Sequence, residues 1–211
     1  MHVCPLCKKD ATRKKQRING ILFLTCTHCK TLYKHPQHYV DAATEKSRYL
    51  AHHNNVEDPN FQKFVSPMVE AIVQDFPPEA DGLDFGAGTG PVITKLLNDK
   101  EYSNINLYDP FFHPKIKALK LKYDFIICCE VMEHFYDPHK EFNLLHSLLK
   151  PNGKLYCKTE IIPQNTDVKD WWYIRDTTHV VFYSEENLRW IKDNFVFKEL
   201  EIKEQLILFS K

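Results

Sequence analysis

Long hydrophobic runs are missing from this 211-residue chain: nothing approaches the roughly 18 apolar residues of a membrane span, which excludes a helical membrane protein. No apolar h-region follows the first residues either, so a cytoplasmic location is expected. Repeats and low-complexity tracts are absent. A hydrophobic content of 43% is ordinary for a soluble chain that can hold one full core plus a small appendage. Net charge is also absent overall, 28 basic side chains balancing 28 acidic ones. Glycine is scarce, six in all, and three of the six stand at alternate positions 86, 88 and 90.

Those three follow an apolar strand, Gly82-Leu83-Asp84-Phe85, that carries an acid near its end. Without side chains at 86, 88 and 90 the backbone can turn sharply and approach a ligand. The dinucleotide fingerprint G-x-G-x-x-G is excluded, because it needs glycine or alanine at 91, where the chain has Pro91. Proline suits the first helical position, so a helix is expected over Pro91–Asn98. A second acid should follow about 20 residues on, at the end of the next strand, to take ribose hydroxyls. Asp109 ends Asn104-Ile105-Asn106-Leu107-Tyr108, 19 positions beyond Gly90.

The run Leu83–Gly90 resembles motif I of the class I S-adenosylmethionine-dependent methyltransferases. Tyr123–Phe135 is similar to the family's fourth strand and the segment after it, and Leu148–Tyr156 to its loop and fifth strand. The likeness runs from about residue 76 to 211 and is nearest the small-molecule and quinone O-methyltransferase branch. It implies S-adenosylmethionine as cofactor and methyl transfer as activity, with Asp84, Gly86, Ala87, Gly88, Gly90, Asp109, Pro110 and Glu130 holding the cofactor. Only fourteen residues, Pro110–Tyr123, separate Asp109 from Asp124, where the family fits a helix, a third strand and an adenine-contacting loop. A shortened third-strand region is therefore expected. Phe111 and Phe112 are left either to stack on adenine or to pack under the shortened edge.

Seven cysteines without a secretion signal point to metal or buried thiols before disulfides. Cys4-Pro5-Leu6-Cys7 and Cys26-Thr27-His28-Cys29 give C-x2-C, eighteen residues, C-x2-C, the spacing of a four-thiolate zinc ribbon. Four cysteines close the coordination shell, so Zn2+ is expected to be structural, and about 35 residues bury too little to fold without it. A redox pair or four free thiols is the alternative, and His2, His28 and His35 stand near as substitute ligands. Cys128, Cys129 and Cys157 fall in expected strands and read as small buried hydrophobes. Residues 1–35 carry eight basic side chains against Asp10, a surplus of seven that four thiolates and one zinc ion reduce to five. Such a module could hold RNA or an acidic protein surface. The blander reading, a solvated hairpin or one resting on the chain's own acidic remainder, weighs more.

Three regions follow: a zinc ribbon over 1–35, a helical, cofactor-covering linker over 36–75, and a Rossmann-like methyltransferase domain over 76–211. In the linker Phe61, Phe64, Val65, Met68, Val69, Ile72 and Val73 recur at helical steps between Pro59 and Pro77. Arg48–Asn55 either closes over the cofactor or simply connects helices. Beyond the linker, strands 82–85, 104–108, 124–129, 154–161, 196–204 and 206–210 intersperse with helices 91–98, 138–149 and 185–194. That alternation means an α/β fold, a mostly parallel sheet covered on both faces, with an antiparallel C-terminal hairpin.

Ligands of such sheets sit at the carboxyl ends of the strands, which gathers 86–90, Asp109, Cys129–His134 and Glu160–Ile162 around one cavity. Methyl transfer needs alignment and exclusion of water, and a base where the acceptor carries a proton. His179 is the first candidate base. It lies in the long connection Trp171–Ser184, whose Trp171, Trp172 and Tyr173 either wall the acceptor or fill core beneath the loop, with Ser184 capping the next helix. His134 is the second candidate, with a structural role as its alternative, and Glu133 stands beside it. Two further absences narrow the acceptor. Cys129-Glu130-Val131-Met132 occupies the place of the N/D-P-P-Y/F element of nucleobase and glutamine N-methyltransferases, and the Pro-Cys context of the covalent cytosine mechanism is missing. The expected acceptor is a small molecule. RNA- or protein-directed methylation with the ribbon as docking arm, and a non-catalytic zinc-ribbon scaffold, are the alternatives.

Overall fold

The computed structural model describes residues 3–10, 13–51, 54–204 and 206–211, so His2, His52 and His53 lie outside the described residues. Strands β1 (Arg13–Ile18) and β2 (Ile21–Cys26) form a hairpin across Asn19-Gly20, both at positive φ, the backbone a tight two-residue turn requires. β3 (Leu32–Lys34) pairs antiparallel with β2. Helix α1 (Ala42–Leu50) starts where the Asp41 carboxylate accepts the Thr44 N–H at 2.8 Å. α2 (Pro59–Asp75) is capped by Asp58 and has Pro59 at its first position; it buries Val65, Met68, Val69 and Ile72. No described helix is long and apolar enough to cross a membrane.

The larger sheet is then laid down by β4 (Gly82–Phe85), β5 (Ile105–Tyr108), β6 (Tyr123–Cys129) and β7 (Leu149–Lys158), all parallel, with α3 (Val92–Asn98) and α4 (Pro138–Leu148) between them. After β8 (Val181–Phe182) and α5 (Glu185–Asn194), β9 (Glu199–Lys203) and β10 (Leu206–Ser210) complete it as an antiparallel hairpin, in the order β5-β4-β6-β7-β10-β9. Alternate side chains fill two cores. Leu83, Ile126, Cys128, Leu155 and Ile207 face α4, α5 and the ribbon; Phe125, Ile127, Tyr156 and Leu208 face α2 and α3. Each such apolar side chain contributes roughly 1.5–3 kcal/mol by leaving water. Beyond β5 the shortened region is a single 3₁₀ turn, Ile116–Lys120, tied down by the Tyr123 hydroxyl donating to the Ala118 carbonyl at 2.8 Å.

Several element boundaries differ from expectation. Pro91 caps α3 from outside rather than opening it. The strand expected over 154–161 runs from Leu149 to Lys158, because Leu149 already pairs with Tyr123 and Asn152, at φ +63, absorbs a register irregularity inside the strand. The strand expected from 196 begins at Glu199, since Val196 is left-handed at φ +62.

The ribbon is also built into the body. β8 joins its sheet, Leu32 opposite Phe182 and Tyr33 opposite Val181, giving the order β1-β2-β3-β8. Cys4, Leu6, Leu24, Cys26 and Tyr33 belong to the same apolar cluster as Phe142 and Ile191.

Candidate active site

A cavity of about 600 Å³ opens at the carboxyl ends of β4, β5 and β6, a size typical of small-molecule sites. Its floor is the loop after β4. Gly86 stands at φ +83, where a Cβ would strike the Val131 side chain, and a Cβ on Gly90 would strike the backbone carbonyl of Asn54. Only glycine fits both places, so the loop offers bare backbone to the cavity while the segment before α2 closes against it.

Buried Asp109 organises this floor. Its Oδ2 accepts the Gly88 N–H at 3.1 Å, and its Oδ1 accepts the N–H groups of Phe111 and Phe112 at 2.8 and 2.9 Å. One carboxylate thereby ties the glycine loop to the turn that stands where a third-strand region was expected to be shortened. Pro110, Phe111 and Phe112 line the cavity beside it, and the Tyr49 ring of α1 comes within 6.0 Å of Phe111. Asp84 lies deeper, accepting the Thr94 hydroxyl at 2.7 Å; burial pushes its carboxyl up to about 6 against that hydrogen bond.

Past β6 the backbone of Glu130 is left-handed at φ +52, a conformation costing about 1–2 kcal/mol in a residue with a side chain. The Tyr173 hydroxyl donates to Glu133 Oε1 at 2.5 Å and lies 3.1 Å from Glu130 Oε2. Burial pushes Glu130 up to about 7 and drives the enclosed Glu133 well toward its neutral form, with Glu130 adding to the rise. His134 Nδ1 faces the Thr178 carbonyl at 3.2 Å, and His179 Nδ1 the Tyr173 carbonyl at 2.9 Å. A carbonyl only accepts, so each ring carries its proton on Nδ1 and Nε2 is the basic nitrogen. The two rings stand 4.9 Å apart, and one ligand atom each of Glu133, His134 and His179 lies within 4.8 Å of the others, close enough to share a small cation.

Burial lowers the pKa of His179, with Asp176 opposing. Asp176 itself is subject to burial, which would raise it. The Thr178 hydroxyl at 2.6 Å, the Thr178 N–H at 2.9 Å and Arg48 at 2.9 Å outweigh that and hold it well below the usual carboxylate range. Because Arg48 belongs to α1, this ion pair links the covering helix to the loop that carries His179. Glu45, also on α1, accepts the hydroxyls of Tyr49 at 2.7 Å and Tyr136 at 3.1 Å.

The structure thus brings Asp84, Gly86, Ala87, Gly88, Gly90, Asp109, Pro110, Glu130, His134 and His179 to one cavity. Of the two places open to Trp171 and Tyr173, the structure gives them the core beneath the loop. Trp171 and Tyr173 are buried with Phe23, Ile174 and Phe182 between ribbon and loop, while Trp172 is 62% exposed. Large apolar rings gain more from that enclosed contact than from a solvated cavity edge. Glu160–Ile162 is likewise diverted, Ile161 bridging to Tyr183. Sequence reasoning missed Glu45, Thr94 and Asp176; only the Asp176-Thr177-Thr178 run, with its Asx-turn chemistry, carried a signal for one of them.

In the ribbon the Sγ atoms of Cys4, Cys7, Cys26 and Cys29 all lie within 4.8 Å of one another, with Cys4–Cys29 at 3.5 Å and Cys7–Cys26 at 3.7 Å. Tetrahedral zinc with bonds of about 2.3 Å sets its sulfurs about 3.8 Å apart, so the four fit that ion. The knuckles rest on the body: the Leu6 carbonyl meets His139 Nδ1 at 2.9 Å, and Thr31 Oγ1, 3.1 Å from Cys29 Sγ, accepts Asn187 Nδ2 at 2.8 Å.

A family model described as a methyltransferase domain matches residues 58–201. A search of the curated proteins finds no match. Among solved structures, the 1,6-didemethyltoxoflavin-N1-methyltransferase of Burkholderia thailandensis, with bound 1,6-didemethyltoxoflavin and S-adenosylhomocysteine, is similar with a TM-score of 0.55 and 13% identity over 94% of this chain and 99% of that one. A SAM dependent methyltransferase from Archaeoglobus fulgidus gives 0.51 and 18% over 71% of this chain and 94% of that one. The chain spans 49% of an SAH-bound methyltransferase of calicheamicin biosynthesis, at a TM-score of 0.46 and 11% identity over 64% of this chain. At such identities the likeness is one of fold.

Proposed function

The chain belongs to the methyltransferase-domain family, and from that premise we propose that it is an S-adenosylmethionine-dependent methyltransferase acting on a small molecule. The observation that carries the proposal is the bare-backbone loop 86–90, held by Asp109 and flanked by Asp84, at the floor of a roofed cavity. Asp84, Gly86, Ala87, Gly88, Gly90, Asp109, Pro110 and Glu130 would hold the cofactor. When bound, the cofactor supplies an electrophilic methyl group on a sulfonium.

The chain's own residues supply the remainder. α1 and the Asn54 segment keep water from competing for the methyl group, and the Arg48–Asp176 pair holds that roof to the cavity wall. His179, kept neutral by burial, takes the acceptor's proton at Nε2 while its Nδ1–H stays on the Tyr173 carbonyl and fixes the ring. His134 packs edge-on against it and against Tyr49. A cavity of about 600 Å³ that must take cofactor and acceptor together favours a compact acceptor over a polymer.

The four-cysteine cluster supports a structural zinc ion, and we divide the chain into a ribbon over 1–35, a covering segment over 36–75 and a catalytic domain over 76–211. Exposed Lys14, Lys15 and Arg17 on β1 are what favours the second reading, docking of RNA or protein. Calorimetry with S-adenosylmethionine and S-adenosylhomocysteine tests the proposal: saturable binding of one nucleoside per chain is expected. No binding at millimolar excess would leave the zinc-ribbon scaffold in its place.

A further inference from the structure

The ribbon reaches the reaction cavity through its last strand. Lys34 ends β3 and is 1% exposed although it carries an ammonium. Its Nζ donates to the Thr177 carbonyl at 2.7 Å and reaches the Asp176 carbonyl at 3.4 Å. Its backbone N–H donates to the Val180 carbonyl at 2.8 Å, and the Val180 N–H donates in turn to the Glu133 carbonyl at 2.8 Å. Burial of a lysine is unfavourable, and a methionine of similar length would fill the space without that cost. The ammonium is therefore accounted for by the carbonyls it holds. Asp176, Thr178 and His179 of the turn so held all line the cavity. Arg48 grips the same turn from α1 at 2.9 Å, and five residues before Lys34 stands Cys29, whose sulfur lies 3.1 Å from Thr31 Oγ1.

We infer that the ribbon is a working part of the reaction cavity: Lys34 is a positioning residue that sets the Asp176–His179 turn, and loss of the metal that orders β3 is felt at that turn. The inference rests on the methyltransferase proposal for what the turn does, on the proposed zinc for what orders the ribbon, and on the hydrogen bonds for the coupling between them.

Hydrogen–deuterium exchange on the full zinc-loaded chain tests it, comparing wild type, Lys34→Met and wild type stripped by a chelator. Amides of 176–182 are expected to exchange at least about tenfold faster after either perturbation, with the β4 and β6 amides unchanged. The His179 ring resonance should move in Lys34→Met while affinity for S-adenosylhomocysteine stays within about twofold of wild type, a pattern that general destabilisation would not produce. A folded Lys34→Met chain with wild-type protection over 176–182 overturns the role of Lys34. A stripped chain whose ribbon amides open while 176–182 stays protected overturns the coupling, even if Lys34→Met fails to fold. Failure of the methyltransferase proposal would show differently, as wild type that binds no S-adenosylhomocysteine yet keeps the exchange difference.

Discussion

Replacing Asp109 with asparagine removes one of two carboxylate oxygens that together serve three backbone N–H groups, those of Gly88, Phe111 and Phe112. The amide has a single acceptor oxygen, so whichever way it turns, at least one of these N–H groups faces an NH2 group. Leaving such a buried donor unmet costs about 1–3 kcal/mol. For a chain of this size that corresponds to a fall of roughly 2–12 °C in melting temperature. The same loss releases the glycine loop from the turn after β5; whatever part of the cost is met only when the loop is ordered on the nucleoside weakens affinity for S-adenosylhomocysteine instead, by up to roughly 150-fold. Thermal denaturation and calorimetry on Asp109→Asn measure the two effects separately. A variant that melts with wild type and binds the nucleoside within twofold would refute the claim that this carboxylate shapes the cofactor floor.

Metal analysis of the purified chain should find one zinc per molecule, lost in Cys4→Ser and Cys29→Ser; full occupancy in either variant would argue against the four-thiolate site. His179→Ala should lower turnover about 10²–10⁴-fold on an acceptor that must lose a proton, with nucleoside affinity intact, and a variant of unchanged kcat would remove His179 from proton transfer. Asp84 is raised from 3.8 to about 6, so it binds its proton more readily folded than unfolded, and its burial costs stability as pH rises from about 4 through 6. Asp84→Asn should therefore match wild type in stability near pH 4 and exceed it by up to about 3 kcal/mol at pH 7, while losing nucleoside affinity; denaturant titrations at the two pH values decide. Neutralising Lys14, Lys15 and Arg17 together should leave activity on a small acceptor unchanged, whereas a raised KM for an RNA or protein acceptor would favour docking.

What could be read from the sequence was local. The Gly86-Ala87-Gly88-Thr89-Gly90 loop declares itself because its reasons lie in its own backbone and in the acids at 84 and 109, and the cysteine pairs because one ion needs four sulfurs at short spacing. The six-stranded α/β sheet followed from strand and helix alternation, and the contracted edge after Asp109 from setting its fourteen residues against the methyltransferase resemblance. The rest depended on partners far away in sequence. Trp171 and Tyr173 suited a cavity wall until β2 and β8 supplied Phe23 and Phe182 to pack on them. Asp176 needs Arg48, and the elevated pKa of Glu133 needs complete enclosure beside Glu130; no periodicity announces either. Lys34 entered only as one of the ribbon's eight basic charges, because nothing within ten residues shows that it meets two carbonyls in the interior.

Pairing β3 with β8 has a consequence for biosynthesis. All four cysteines leave the ribosome before any strand of the larger sheet, so an ion could be captured before that sheet forms. The strand that flanks β3 arrives much later, however, and Thr177 is 143 positions downstream of the ammonium it receives. A nascent ribbon has one margin uncovered until that strand emerges, and the cavity lined by Asp176, Thr178 and His179 can be completed only after it.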